Sequence, residues 1–451
     1  MSTLRDTATE VVRRLRTAGH EAYFVGGSVR DLLLGREPAD YDVATSATPD
    51  VVTKLFPQTV TVGARFGVVL VLVDGHQVEV ATFRSDHGYT DGRHPDAVRF
   101  ARSAEEDVRR RDFTINGLLY DPLAEKTLDY VGGQEDLRRA IIRTIGKPEE
   151  RFAEDKLRML RAVRFAARFG YAIEPGTFAA IRALCGAIEQ VSRERVRDEL
   201  AKMLTEGAAR RAMELLDESG LLAVVLPEVA RMKGVLQPPQ FHPEGDVWVH
   251  TLLMLEKMQK PSTTLAVGVL LHDVGKPPTF RPPGPESDRI RFDEHSEVGA
   301  VMAEDICRRL RFSNAETERV VALVRNHLRF KDVPNMRLST LKRFLAMDGF
   351  AEHLELHRLD CLSSHRDLTN YEFVKSTLET LPPEEVRPPR LLTGDDLIAW
   401  GYRPGPEMGK ILAAVEEAQL DGTLTSKEQA RAFVETHFPA TGAQRGRLAE
   451  K

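Results

Sequence analysis

The stretch Gly26-Gly27-Ser28-Val29-Arg30-Asp31-Leu32-Leu33-Leu34-Gly35, running on to Asp40-Tyr41-Asp42-Val43, decides how the N-terminal part of this chain folds. Gly26 and Gly27 lack Cβ atoms, so backbone N–H groups there can close on a polyphosphate without steric cost. Leu32, Leu33 and Leu34 predict an apolar helical face, which Gly35 and Pro38 end. Asp40 and Asp42 alternate with Tyr41 and Val43 as on a strand, which predicts both carboxylates on one side. Two such carboxylates beside a phosphate cradle are what a pair of Mg²⁺ ions and a nucleoside triphosphate require. An isolated Asp-x-Asp is usually solvated surface; the Gly-Gly turn before it makes this one specific.

Working outward, residues 1–21 read as a helix packed through Val11, Val12 and Leu15, and PDVVTKLF as a second helix. GVVLVLVDGHQVEVATFR alternates on both sides of Asp74-Gly75, a strong hairpin signal. Glu79, between Val78 and Val80, is placed to add a third carboxylate, with an exposed strand residue as the alternative. The polar stretch SDHGYTDGRHPDAVRF reads as a loop, and RRRDFTIN as a helix start or packed turn. From about residue 148 helical periodicity dominates, with turns at Glu174-Pro175-Gly176 and Glu218-Ser219-Gly220. LQPPQFHPEGD is a Pro-rich boundary, RPPGPESDR a loop, and LPPEEVRPPRLLTGDDL a linker. The expected organisation is α+β. A mixed-sheet head spans 1–147 and an all-α neck 148–235, followed by a histidine-rich helical domain over 236–380 and a helical tail over 381–451.

The 451 residues, 42% apolar and 29% charged, suit several soluble domains. No early apolar run has signal-peptide form, and no stretch approaches the roughly 20 apolar residues of a membrane span. Cys185, Cys307 and Cys361 are isolated, which reads as a reduced, cytoplasmic setting. A net charge of −5 argues against coating nucleic acid through bulk charge. The basic residues are nevertheless clustered, at Arg109–Arg111 and at Arg158, Arg161, Arg164 and Arg168, whose spacing predicts one basic helix face. Taken alone, that face reads as solvated and locally ion-paired.

Six ordered elements are Gly26-Gly27-x-Val29-Arg30-Asp31, Asp40-x-Asp42, Val78-Glu79-Val80, Arg110-Arg111-Asp112-Phe113-Thr114-Ile115-Asn116, Glu154-Asp155-x-x-Arg158 and Glu194-Arg195-x-x-x-Glu199-Leu200. In these the chain resembles the class II tRNA nucleotidyltransferases, the CCA-adding and poly(A) polymerase family within the DNA polymerase beta superfamily. The resemblance implies a polymerase-beta-like head that adds or repairs the 3′-terminal CCA of tRNA from CTP and ATP. An RNA 3′-hydroxyl would attack the α-phosphate and release pyrophosphate. Asp40, Asp42 and Glu79 would be the catalytic carboxylates, with Mg²⁺ on Asp40 and Asp42. Gly26, Gly27 and Arg30 would grip phosphates, with Arg111 and Arg161 also in the nucleotide site. Asp112 and Asn116 are implied to hold the ribose, and Asp155 with Arg158, on one helix turn, the base edge. A carboxylate accepting from an amine, beside a donating guanidinium, suits C and A and rejects G and U. The alternative for that pair is an intrahelical salt bridge. The basic face at 158–168 would hold tRNA phosphates. Tyr89-Thr90-Asp91-Gly92-Arg93-His94-Pro95 resembles the loop of full CCA-adding enzymes, with A-only addition or poly(A) synthesis as alternatives.

Further on, His250, His272-Asp273 and Asp360 follow the order H…HD…D, with His295 and His327 as candidate extra ligands. LAVGVLLHDVGKP reads as a buried apolar helix that delivers a polar pair from within a core. Imidazoles and carboxylates together suit Ni²⁺, Mn²⁺, Fe²⁺ or Zn²⁺. Residues 242–365 resemble the HD phosphohydrolase superfamily, which implies phosphatase or 2′,3′-cyclic phosphodiesterase chemistry on RNA ends. Two alternatives are an HD phosphohydrolase with a nucleotide-sensing N-terminal domain and a non-catalytic RNA-binding module. Asp40, Asp42 and Glu79 argue against both, since neither requires metal-binding carboxylates there.

Overall fold

The computed structural model describes residues 3–60, 67–87, 97–101, 103–240, 242–243, 245–284 and 288–439. Two compact units divide the chain. The first is Met1–Lys233 with Met258–Ala266 and Asp305–Ser313; the second is Gly234–Lys257, Val267–Glu304 and Asn314–Lys451.

In the first unit, helix α1 (Leu4–Thr17) begins at a reciprocal cap. Thr3 accepts from Asp6 N–H at 3.2 Å while Asp6 accepts from Thr3 N–H at 3.0 Å. As its spacing predicts, α1 buries Val11, Val12 and Leu15 fully, against β1 (Ala22–Val25), β2 (Asp42–Thr45) and β5 (His76–Thr82). The sheet also contains β3 (Thr59–Val60), β4 (Val68–Val73), β8 (Leu119–Asp121) and β9 (Lys126–Leu128), in the order β3-β4-β5-β2-β1-β8-β9. Only β2 and β5 run parallel, with Asp42 opposite Glu79. The β4–β5 hairpin turns at Asp74 (φ 50°) and Gly75 (φ 80°), two consecutive left-handed residues that match strand twist. Val69, Val71, Val78 and Val80 alternate into the core.

Helix α2 (Gly27–Leu33) departs from expectation. Its buried side carries Ser28, Val29 and Arg30, while Leu33 is 39% exposed. The leucine triplet therefore lies mostly at the helix rim. Both ends of the stretch expected as a loop are strand, because β6 (Arg84–His87) pairs antiparallel with β7 (Ala97–Phe100). Tyr89–Pro95 lies outside the described residues. After α3 (Pro49–Leu55), α4 (Ala104–Arg109) and α5 (Gly133–Arg138) come α6 (Pro148–Glu154), α7 (Leu157–Phe169), α8 (Pro175–Leu184) and α9 (Arg193–Thr205), of which α6, α7 and α9 carry residues that shape the site. The expected turn at Glu174-Pro175-Gly176 is the start of α8, with Glu174 accepting from Thr177 N–H at 2.6 Å.

Among its described residues the second unit is helical, apart from a two-residue strand pair, Phe280–Arg281 with Arg291–Phe292, that flanks the expected loop, and a single bridge between Leu236 and Asp246. The apolar helix Thr263–Leu271 runs straight into His272-Asp273. Helices Val247–Lys257, His295–Arg309, Asn314–Asn326 and Phe350–Ser363 bring the remaining histidines and Asp360. Within the segment expected to be a linker, Pro383–Val386 is a short helix, and Thr393 caps the helix Gly394–Ala399. The tail has its own core of Leu392, Leu397, Ile411, Val415, Ala430 and Val434. Among the described residues no helix is long and apolar enough to cross a membrane.

Candidate nucleotide cavity and metal centre

A cavity of about 520 Å³ opens in the first unit, floored by Gly26, Gly27, Asp40 and Asp42. Gly26 has φ 72°, and a Cβ there would meet an Arg111 Nη atom at 3.7 Å; one on Gly27 would meet Arg30 Nη2 at 3.4 Å. Two guanidiniums therefore face the glycine turn. Asp42 opens β2, while Asp40 precedes the strand and is exposed. Burial, then Glu79 and Asp40, push the Asp42 carboxyl up to about 6, with Arg111 pulling the other way. The chemistry of a carboxylate so placed suits a divalent cation. Glu79 faces Asp42 across the strands but is not among the lining residues.

Arg111, Asp112, Asn116, Asp155, Arg158 and Arg161 line the same cavity, together with Arg30. Buried Arg30 donates to Asn116 Oδ1 at 2.9 Å, and Asn116 Nδ2 donates to Asp112 at 3.1 Å. Arg161 Nε donates to the other Asp112 oxygen at 2.8 Å. Burial raises the Asp112 carboxyl, but Arg161 and Asn116 outweigh it and hold the pKa below its ordinary value.

Asp155 and Arg158 do not share one helix turn. Asp155 ends α6 in extended backbone (φ −142°), and Arg158 belongs to α7. Arg158 N–H donates to the Asp155 carbonyl at 3.1 Å, but among the described residues their side chains do not pair with each other. Arg158 donates to Glu154 at 2.7 Å and to the Arg110 carbonyl at 3.0 Å, while Asp155 receives Arg195. The expected basic face is divided: buried Arg164 turns inward to Glu199 at 2.6 Å, whereas Arg168 is exposed and lies 3.4 Å from Glu206. Some contributors were missed. Asp107, buried, holds Arg110 and Arg111 at 2.7 and 3.0 Å; its three- and four-residue spacing from them was a readable signal. Arg195 and Glu199 lay in a recognised element without an assigned role. Phe165, another lining residue, left no signal.

In the second unit, two groups of candidate ligand atoms each lie within 4.8 Å of one another: His250, His272 and Asp273, and Asp273, His295 and His327. Asp273 is common to both. Its carboxylate oxygens lie 3.1 Å from His272 Nε2, 3.5 Å from His295 Nε2 and 3.7 Å from His327 Nε2. His250 Nε2 is 3.2 Å from Asp360, which joins the cluster from Phe350–Ser363. His272, His295 and His327 each direct Nδ1 at the carbonyl three residues earlier, at 2.8, 2.8 and 2.6 Å. A carbonyl only accepts, so Nδ1 carries the hydrogen and Nε2 turns inward, as in metal-bound histidine. Burial pushes His327 down to about 3, so its ring stays neutral. Burial raises Asp273, yet His272 and Lys276 hold it well below the usual carboxylate range. The donor set fits a transition metal.

Three family models match in chain order: the poly A polymerase head domain over residues 22–143, a probable RNA and SrmB-binding site of polymerase A over 170–233, and the HD domain over 246–358. The CCA-adding enzyme of Geobacillus stearothermophilus is 47% identical over 223 residues, 49% of this chain and 55% of that enzyme. Over such matches the chain spans about half the length of its Geobacillus relatives. The CCA-adding enzyme of Bacillus cereus (strain B4264) is 31% identical over 423 residues, 94% of this chain and 96% of that enzyme. The chain belongs to the CCA-adding enzyme family. The fold agrees: the crystal structure of the Bacillus stearothermophilus CCA-adding enzyme in complex with CTP superposes with a TM-score of 0.72. It covers 97% of this chain and 98% of that one, at 28% identity. Of the candidate HD ligands, Asp360 alone falls outside the family match, two residues beyond its end.

Proposed function

We propose that this member of the family adds or repairs the 3′-terminal CCA of tRNA from CTP and ATP. The observation that carries the reading is that one cavity gathers the glycine turn, the Asp40–Asp42 pair and the Asp155–Arg158 pair. A similar enzyme was crystallised in complex with CTP. Gly26 and Gly27 amides, with Arg30 and Arg111, bind the triphosphate, which arginine forks suit. Asp112 and Asn116, fixed by Arg161 and Arg30, orient the ribose. Asp155 accepts the exocyclic amine common to C and A, and Arg158 donates to the adjacent acceptor. Divalent metal, in our reading Mg²⁺ held by Asp40 and Asp42 with Glu79 close by, would lower the pKa of the RNA 3′-hydroxyl and offset charge on departing pyrophosphate. The isolated cysteines suit the cytoplasm.

A second activity is favoured by the HD cluster. His250, His272, Asp273, Asp360, His295 and His327 would hold Ni²⁺, Mn²⁺, Fe²⁺ or Zn²⁺ and serve phosphohydrolysis of RNA ends or cyclic phosphates. Its test is hydrolysis of a 2′,3′-cyclic phosphate by metal-loaded protein, with no dependence on His272 and Asp273 as the overturning result.

The main reading is tested by incorporation on tRNA transcripts ending before CCA, after C and after CC. Completion of all three to CCA, with UTP and GTP refused, is expected. One A on the CC-ending transcript alone would make it an A-adding enzyme, and long A tails a poly(A) polymerase.

A further inference from the structure

At the outer end of α7, Phe165 and Phe169 stand one helical turn apart, with rings parallel to within 9° and centroids 6.0 Å apart. Phe165 and Arg168 line the nucleotide cavity, and half-buried Phe169 continues the ladder beyond it. Three guanidiniums surround the Phe169 ring, with Arg30 at 4.6 Å, Arg168 at 5.5 Å and Arg36 at 5.8 Å. Each cation is attracted to the ring face, but three of them around one ring, which also meets Tyr171 at 5.6 Å, repel one another and favour an anion among them. Arg30 is neutralised by Asp31 at 3.0 Å. Arg168 has a long 3.4 Å contact with Glu206, and exposed Arg36 has no ion pair among the described residues. Positive charge interleaved with aromatic rings, leading out of a triphosphate cavity, is the chemistry of a single-stranded nucleic-acid track.

We propose that Phe169, Arg36 and Arg168 seat the single-stranded 3′ end of the acceptor RNA. A base upstream of the reacting nucleotide stacks on Phe169, and its phosphate lies between Arg36 and Arg168. The inference rests on the CCA-adding reading and assigns its acceptor-strand subsite. Stacking on any base face is tolerant of sequence, as an enzyme whose acceptor end changes with each addition requires.

The test measures binding of an RNA hairpin with a single-stranded CC end, without nucleotide and in EDTA, alongside KM for RNA and for CTP. Phe169→Leu keeps the packing volume and loses the π-face; Arg36→Ala loses one cation. Each should weaken hairpin binding by roughly tenfold, with KM for CTP unchanged within about twofold. Arg36→Ala should also flatten the salt dependence by about one unit of slope, and Phe169→Trp should restore binding. Variants that bind the hairpin as wild type does overturn the proposal. So does a Phe169→Leu variant whose KM for CTP rises as much as that for RNA, since the ring would then only support Arg30. Failure of the underlying reading looks different: wild-type protein would extend no transcript at all.

Discussion

Arg195 grips Asp155 through two bonds, Nη2 to Oδ2 at 2.7 Å and Nη1 to Oδ1 at 3.2 Å. It does so across forty residues of chain, from α9 to the break between α6 and α7. Asp155 has left the helix and takes no other guanidinium among the described residues, so its orientation rests on this fork and on Leu157 N–H at 3.1 Å.

Arg195→Ala should therefore cost fidelity before it costs folding. A lost charge-assisted pair is worth about 1.5–3 kcal/mol. Incorporation of CTP should drop roughly 10- to 100-fold in kcat/KM, with UTP and GTP less affected, so that discrimination narrows. Single-nucleotide incorporation with each NTP checks this; unchanged CTP kinetics would show that Asp155 needs no such support.

How far the sequence could be read depended on whether the relevant forces were local. The β4–β5 hairpin was legible because strand alternation and the Asp74-Gly75 turn agree within a few residues. The Asp40–Asp42 unit was legible through the Gly-Gly turn before it, and the HD cluster through the order of its histidines and aspartates. The inward turn of Arg164 was not, since its partner Glu199 arrives thirty-five residues later and periodicity does not say what a helix face meets. Likewise, no glycine or proline marks the break at Asp155, and a seven-residue α2 that buries Ser28, Val29 and Arg30 leaves Leu33 in solvent.

Asp42→Asn should abolish incorporation, by roughly 10³-fold or more, while leaving the metal-free protein no less stable. The Asp42 pKa is raised to about 6 from 3.8. Its stabilising effect is thus fully present below pH 3.8 and is lost as pH rises through about 6. At pH 7.5 the charged form carries a penalty of up to about 3 kcal/mol before residual solvent is allowed for. In EDTA the variant should melt at or above the wild-type temperature at pH 7.5, and the gap should close near pH 4. Added Mg²⁺ should raise the wild-type Tm alone.

The histidine cluster should show the opposite sign. His327 is lowered to about 3 from 6.5. Stability from the neutral ring is fully present above pH 6.5 and is lost progressively as pH falls toward 3. Metal-free wild type should lose stability between pH 7 and 5, by up to about 1.4 kcal/mol per pH unit. His327→Asn should show a shallower slope; equal slopes would place the titration elsewhere.

Gly275→Ala tests packing at the metal centre. A Cβ there would lie 2.1 Å from the His295 carbonyl oxygen and 2.6 Å from Gly299 N, so the helix that begins at His295 must move away. We expect a loss of about 3 kcal/mol or more and loss of bound metal by elemental analysis. Incorporation of CTP and ATP, which we assign to the other unit, should persist.

The carbonyl bonds made by His272, His295 and His327 bear on how quickly that centre fills. Each imidazole already holds a hydrogen on the outer nitrogen, and at His295 and His327 the inner nitrogen lies 3.5 and 3.7 Å from Asp273, beyond a good hydrogen bond. At His295 and His327 an arriving ion meets rings that need no tautomer exchange. Loading should then be paced by passage through the surrounding helices and depend little on buffer catalysis, and once filled the centre should empty slowly.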